Sequence, residues 1–317
     1  MSLADKDIRD AFFDELCRIG SRDPNVVIIT NDMDVFSLRK FKQDYPRQFI
    51  NIGVAEQNMI NVAAGLAACG KRVFVFGILS FVTFRCYEQI KVNICSMRLP
   101  VTIIGMGAGL SFGFDGPTHH AMQDIGLMRL LPEMEILNPG DSASAAQCAR
   151  LAYEGKGPMY IRIDKGTFPE FYNSGDNFSS GLKVLRDVAN SDVTIVASGF
   201  MTRQAVAVAD ALESQNVRAG VIDIFRLKPV DGSALRDLAD RSRSFVVLDE
   251  NAASGGLGTI ISEILARHSK KIPFISLTLP DKQFLEYGAR EWFLNRSGLD
   301  APAIVEAVLA LVGRKVP

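Results

Sequence analysis

The feature that most limits what this chain can become is its alternation of short, wholly apolar runs with segments of helical period. Val26–Thr30 reads VVIIT, apolar or β-branched at every position, which suits a strand covered on both faces. Before it, Ala11, Phe12, Leu16 and Ile19 recur at helical spacing and Gly20 closes the segment. The same beat predicts a helix over 55–68 ending at Gly70, a strand over 73–76, a long helix over 81–97 and a strand over 101–104. A glycine-rich stretch, GMGAGLSFGFDG (105–116), interrupts it, and helix 122–131, strand 134–137, helix 142–153 and strand 159–163 follow. Helices alternating with buried-type strands imply a parallel α/β sheet.

Residues 165–181, KGTFPEFYNSGDNFSSG, lose this periodicity and gather Gly, Ser, Asn and Pro, as a linker does. A second series then predicts strands at 193–197, 217–222, 245–248 and 274–277, with helices at 203–212, 232–239, 256–268 and 301–312. The expected fold is α/β, two open, mostly parallel-sheet domains. The expected bounds are 1–170 for the first domain, 171–190 for the linker and 191–317 for the second. With 317 residues, each domain can bury a core without disulfides or structural metal.

Charge excludes several partner classes. Thirty-five Lys and Arg against 36 Asp and Glu leave no basic footprint for nucleic acid and no polybasic face for anionic lipid. The least charged stretch, 73–83, stops at Arg85, short of the ~20 residues that cross a bilayer. Five cysteines without CxxC spacing read as reduced thiols of a cytoplasmic protein, and the N-terminus lacks the basic-then-apolar pattern of a secretory signal.

Four constellations could carry chemistry. His119 and His120, two of only three histidines, end the segment DGPTHH that begins at Asp115, just after the five glycines of 105–116. Such a stretch brings backbone close to a ligand at a strand's carboxyl end, although a satisfied structural histidine is the plainer reading. Glu56 opens a strongly apolar helix, where it could simply favour the helix dipole. Its neighbours in sequence offer no polar partner, so a desolvated carboxyl with a raised pKa is expected. Phe81, Phe84 and Tyr87 fall at three-residue spacing, either as core or as a stacking platform for a flat heterocycle. Arg162, near a strand end, could hold an anion or make a surface ion pair.

Taken in order, these segments resemble the pyrimidine-binding half of transketolase and its relative deoxyxylulose phosphate synthase, enzymes that use thiamine diphosphate. The strongest matches are PRQFINIGVAEQNMINVAAGLAACGK (46–71) and FDGPTHHAMQDIGLMRLLPEMEILNPGD (114–141). SDVTIVASG (191–199), IDIFRLKPVD (222–231) and DENAASGGLG (249–258) look like the family's C-terminal domain. The resemblance implies that Glu56 hydrogen-bonds the ring nitrogen of the cofactor's aminopyrimidine and so helps generate its nucleophilic carbon. It makes Phe81, Phe84 and Tyr87 the aromatic cradle, at a spacing closer to transketolase, with Val54 an apolar wedge and Asp32 a cofactor-proximal carboxylate. Asp115 and His119 correspond to contacts with the donor's hydroxyls, His120 to a neighbour that is more usually glutamine, and Arg162 to a sugar-phosphate ligand. The run 105–113 has neither the histidine of transketolases nor the arginine of deoxyxylulose phosphate synthases, and Asn251 stands where a histidine is common.

The family holds the diphosphate through Mg²⁺ on a GDG motif with a downstream Asn, and no GDG occurs in this sequence. GDS at Gly140 and GDN at Gly175 follow no convincing strand. The resemblance therefore implies the C-terminal subunit of a split transketolase acting on sugars or sugar phosphates. An N-terminal partner would supply the metal ligands, and this chain would form a homodimer within a heterotetramer. The nearest rivals are the beta chain of a 2-oxoacid dehydrogenase first component and a deoxyxylulose phosphate synthase-like activity, and more remote is a non-catalytic subunit. DGPTHH favours a polyhydroxylated donor over a ketoacid's apolar tail.

Overall fold

The computed structural model describes residues 6–173 and 175–314, so the outermost ends of both expected domains lie outside the described residues. Its strands are β1 (Val26–Thr30), β2 (Phe49–Asn51), β3 (Arg72–Ile78), β4 (Val101–Met106), β5 (Glu135–Leu137), β6 (Met159–Ile163), β7 (Leu182–Arg186), β8 (Val193–Ala197), β9 (Ala219–Ile224), β10 (Arg226–Lys228), β11 (Phe245–Ala252) and β12 (Phe274–Leu279). Its helices are α1 (Ile8–Gly20), α2 (Phe36–Asp44), α3 (Glu56–Ala68), α4 (Leu79–Thr83), α5 (Tyr87–Gln89), α6 (Asp124–Arg129), α7 (Ser142–Glu154), α8 (Phe200–Glu213), α9 (Gly232–Asp240), α10 (Leu257–Leu265), α11 (Arg290–Arg296) and α12 (Ala301–Leu311).

Two sheets organise these elements. The first has seven strands in the order β10-β5-β6-β4-β3-β1-β2, parallel except for β10. The second has five in the order β12-β11-β8-β9-β7, parallel except for β7. β1, β4, β6 and β8 are buried at every residue, as strands covered on both faces by helices must be. The expected α/β class with mostly parallel sheets is the class observed.

Three expectations fail in detail. The helix expected over 81–97 is broken: α4 stops at Thr83, a turn follows, and α5 runs into a π-helical stretch at Ile90–Cys95. β7 lies inside the stretch expected to be linker, pairing antiparallel with β9. β10 leaves the second half of the chain to pair with β5 in the first sheet, helped by an Arg226–Glu135 ion pair of 2.9 Å and by Asn138 N–H donating to the Phe225 carbonyl at 2.7 Å. Among the described residues no helix is long and apolar enough to cross a membrane.

Candidate active site

The site is built at the carboxyl ends of consecutive strands of the first sheet, where open α/β sheets place ligands. Asn31 and Asp32 follow β1, Glu56 follows β2 through a short loop, Phe81 and Arg85 follow β3, and the glycine-rich loop follows β4. Glu56 is 2% exposed at the first turn of α3. Its Oε1 accepts from Asn31 Nδ2 at 2.9 Å and its Oε2 from Arg85 Nη1 at 2.7 Å. Gly77 makes this possible, because a Cβ there would stand 2.7 Å from Asn31 Oδ1 and 2.5 Å from Val82.

The expectation of a partnerless Glu56 with a raised pKa is thus overturned. Burial pushes its carboxyl up, but a backbone hydrogen bond, Arg85 and Asn31 together hold it below the usual carboxylate range. Neither partner is near in sequence, which is why neighbouring residues gave no warning. The Arg85 guanidinium also lies 4.5 Å from the centre of the Phe81 ring. Phe81 in turn meets the His119 ring edge-on at 4.9 Å. Glu56, Arg85, Phe81 and His119 therefore form one contiguous wall.

The other expected residues divide. His119 is half-buried, with its Nδ1 3.0 Å from Thr118 Oγ1, and Asp115 is exposed at the end of a 3-10 turn. Asp32 adopts a left-handed φ of 65° and its carboxylate accepts from Asn51 Nδ2 at 3.2 Å. Val54 stands 74% exposed and Phe84 37% exposed. The three aromatics do not form one helical stripe, because the chain turns between Phe84 and Cys86. Only Phe81 lies in the wall.

His120 and Arg162 do not reach this site. His120 is buried against the Phe293 ring at 5.3 Å, neither ring nitrogen has a hydrogen-bond partner among the described residues, and burial pushes its pKa down. Arg162 is 4% exposed and spends its fork on Asp124, with Nε–Oδ2 at 2.6 Å and Nη2–Oδ1 at 3.1 Å. Tyr160 Oη donates to the same carboxylate at 2.7 Å and Asn251 Nδ2 at 3.2 Å, so Arg162 and Asn251 belong to a buried seam between the two sheets. An anion at the mouth would instead meet Lys165, exposed just beyond β6. The signal for Lys165 was its place past the strand's end, where Arg162 sits within the strand. The larger cleft between α1 and α2, about 640 Å³, shares no residue with this wall.

Fold and wall together describe a two-domain α/β protein with a buried, ionised carboxylate and a histidine-bearing glycine-rich loop on one sheet edge. Residues 4–170 match the family described as "Transketolase, pyrimidine binding domain", and residues 182–304 match "Transketolase, C-terminal domain". The chain belongs to the transketolase family. One of the two chains of an apulose-4-phosphate transketolase from Phocaeicola vulgatus is 31% identical over 306 residues, covering 96% of this chain and 97% of that protein. A 6-deoxy-6-sulfo-D-fructose transketolase subunit of a Clostridium species is 33% identical over 312 residues, covering 97% and 95%. A solved structure described as a split gene transketolase, inactive beta4 tetramer, superposes with a TM-score of 0.86 at 33% identity, covering 98% of this chain and 99% of that one.

Proposed function

We propose that this chain is the C-terminal subunit of a cytoplasmic two-chain transketolase that moves a two-carbon ketol unit between sugars or sugar phosphates. The observation that carries this reading is the ionised, buried Glu56 joined through Arg85 and Phe81 to His119 on one sheet edge. Thiamine diphosphate, when bound, supplies the carbon nucleophile that carries the two-carbon unit.

The residues present fit its pyrimidine. Glu56 offers a carboxylate with lone pairs to spare for a ring N–H, and the buried Asn31 Oδ1 and Thr30 Oγ1 lack partners among the described residues. Phe81, with Phe84 and Tyr87 to either side of the turn, gives apolar walls, while Val54 and Asp32 border the opening. In this reading Glu56 holds and releases the proton shared with the ring, and Asp115 and His119 bond the donor's hydroxyls. Lys165 would meet a terminal phosphate as a point charge.

Mg²⁺ needs hard oxygen ligands, and we place them on an N-terminal partner chain, since this sequence carries no GDG. Two copies of each chain would then share the cofactor sites. The related split-gene chain, described as inactive when it forms a beta4 tetramer, supports a requirement for the partner.

The test is to purify this chain with a companion that carries GDG and follow ketol transfer among ketose and aldose phosphates. Transfer is expected from the mixture and not from either chain alone. Full transfer by this chain alone would overturn the split assignment, and pyruvate consumption with a lipoyl acceptor would move it to the 2-oxoacid dehydrogenases. In the active mixture, His119→Ala should raise the donor KM by roughly ten- to a hundredfold and leave thiamine diphosphate affinity unchanged.

A further inference from the structure

The loop that carries Asp115 and His119 is held from outside its own domain. Its root is closed by a bridge between Gly109 and Ala121, and Glu250 of β11 accepts the Leu110 N–H at 3.1 Å. A Cβ on Gly109 would stand 2.5 Å from the Glu250 carboxyl, so that carboxylate is seated directly on the loop backbone. Arg290, at the start of α11, grips Glu250 and reaches Asp164 beyond β6, tying second sheet, loop root and first sheet into one ion cluster.

The apex is held by the segment between β12 and α11. Gly288 N–H donates to the Gly113 carbonyl at 3.2 Å and Gln283 Nε2 to the Pro117 carbonyl at 3.2 Å. The Tyr287 ring lies over Gly116, whose φ of 77° and lack of Cβ admit it, since a Cβ would be 2.6 Å from the ring. Phe293 closes the underside, 5.3 Å from the His120 ring. Neither ring nitrogen of His120 is hydrogen-bonded among the described residues, so apolar packing fixes it there.

We propose that the second domain sets the geometry of the donor-contacting loop, with residues 283–288 acting as a strap and Arg290 and Glu250 as positioning residues for Asp115 and His119. The catalytic consequence rests on the functional reading above; the mechanical one does not. Held side chains recognise hydroxyls without an ordering cost at each encounter. A loosened strap therefore acts on donor recognition and leaves the cofactor wall of Glu56 and Phe81 alone.

Hydrogen exchange on the full chain tests the mechanical part. The Asp115, His119 and Ala121 amides are hydrogen-bonded within the loop and report its opening. Gln283→Ala with Tyr287→Ala removes two exposed contacts and spares the core. It should speed exchange over 113–121 by about tenfold or more, with α3 changed less than about twofold. Arg290→Met should exceed that, and if it fails to fold the double variant still decides. Unchanged loop exchange in the double variant would overturn the proposal. In the active two-chain mixture, the double variant should raise donor KM about fivefold or more at constant thiamine diphosphate affinity. A fall in kcat with donor KM unchanged would reject the positioning role. A mixture with no transfer at all, beside faster loop exchange, would sink the functional reading and leave the strap standing.

Discussion

Two arginine–carboxylate pairs sit a few strands apart in the first sheet and could hardly differ more. Arg85–Glu56 is open on its cationic side, the arginine side chain 46% exposed and the glutamate 2%. Arg162–Asp124 is sealed, at 5% and 0%, with Tyr160 and Asn251 completing its hydrogen bonds. An open pair can exchange one partner for a ligand group; a sealed one cannot without stranding a charge in low dielectric. The position of an arginine near a strand end does not say which kind it will be. Whether the residue lies before or after the strand leaves the sheet decides.

The contrast can be broken at its sealed end first. Arg162→Met leaves Asp124 buried without its cation and should cost about 3–5 kcal/mol of folding stability, read from urea unfolding. A loss below about 1 kcal/mol would make the two pairs equivalent. At the open end, Glu56→Ala should leave unfolding nearly unchanged, because Arg85 returns to water, while ketol transfer by the two-chain enzyme falls by roughly 10²–10⁴. Retained activity would remove Glu56 from the chemistry.

Arg85→Met sharpens the comparison. Without the guanidinium, burial dominates and the Glu56 pKa rises, so the acid limb of thiamine diphosphate binding and of turnover should move to higher pH. An unmoved limb would reduce Arg85 to a bystander. The smallest effect belongs to Asp223, a buried carboxyl with hydroxyl partners, Tyr172 and Thr202, and no arginine. Burial lifts it from 3.8 to about 7 against those hydrogen bonds. The folded state then keeps a proton that the unfolded chain releases, so stability should decline as pH rises from about 4 through 7. Asp223→Asn should flatten that decline, and melting midpoints at pH 5 and pH 8 measure it.

Much of the frame was legible because buried parallel strands announce themselves: Val26–Thr30, Met159–Ile163 and Val193–Ala197 fall where their apolar runs begin and end. What escaped was short or polar. β10 is three residues, Arg-Leu-Lys, whose charges read as loop until Glu135 is seen opposite. α2 has no side-chain cap, and α11 is seven residues that mix charge with aromatics. Within the site, Glu56 and His119 stood out by company and spacing. Asn31 and Arg85 did not, because they lie 25 and 29 residues from the carboxylate they serve. The turn at 84–86 also defeated a reading that assumed unbroken helical period.

The strand that crosses over has a consequence for cutting the molecule. A protease nick in the irregular stretch before β7 would not yield two separable pieces, since β10 would still be laced to β5 and Lys228 to the Leu131 carbonyl. A first half expressed by itself would present β5 as a bare ladder of peptide groups, an invitation to pair with a sibling and precipitate. The chain is better pictured as a clasp than as two beads on a string: either half can be named separately, but each holds a part that finishes the other.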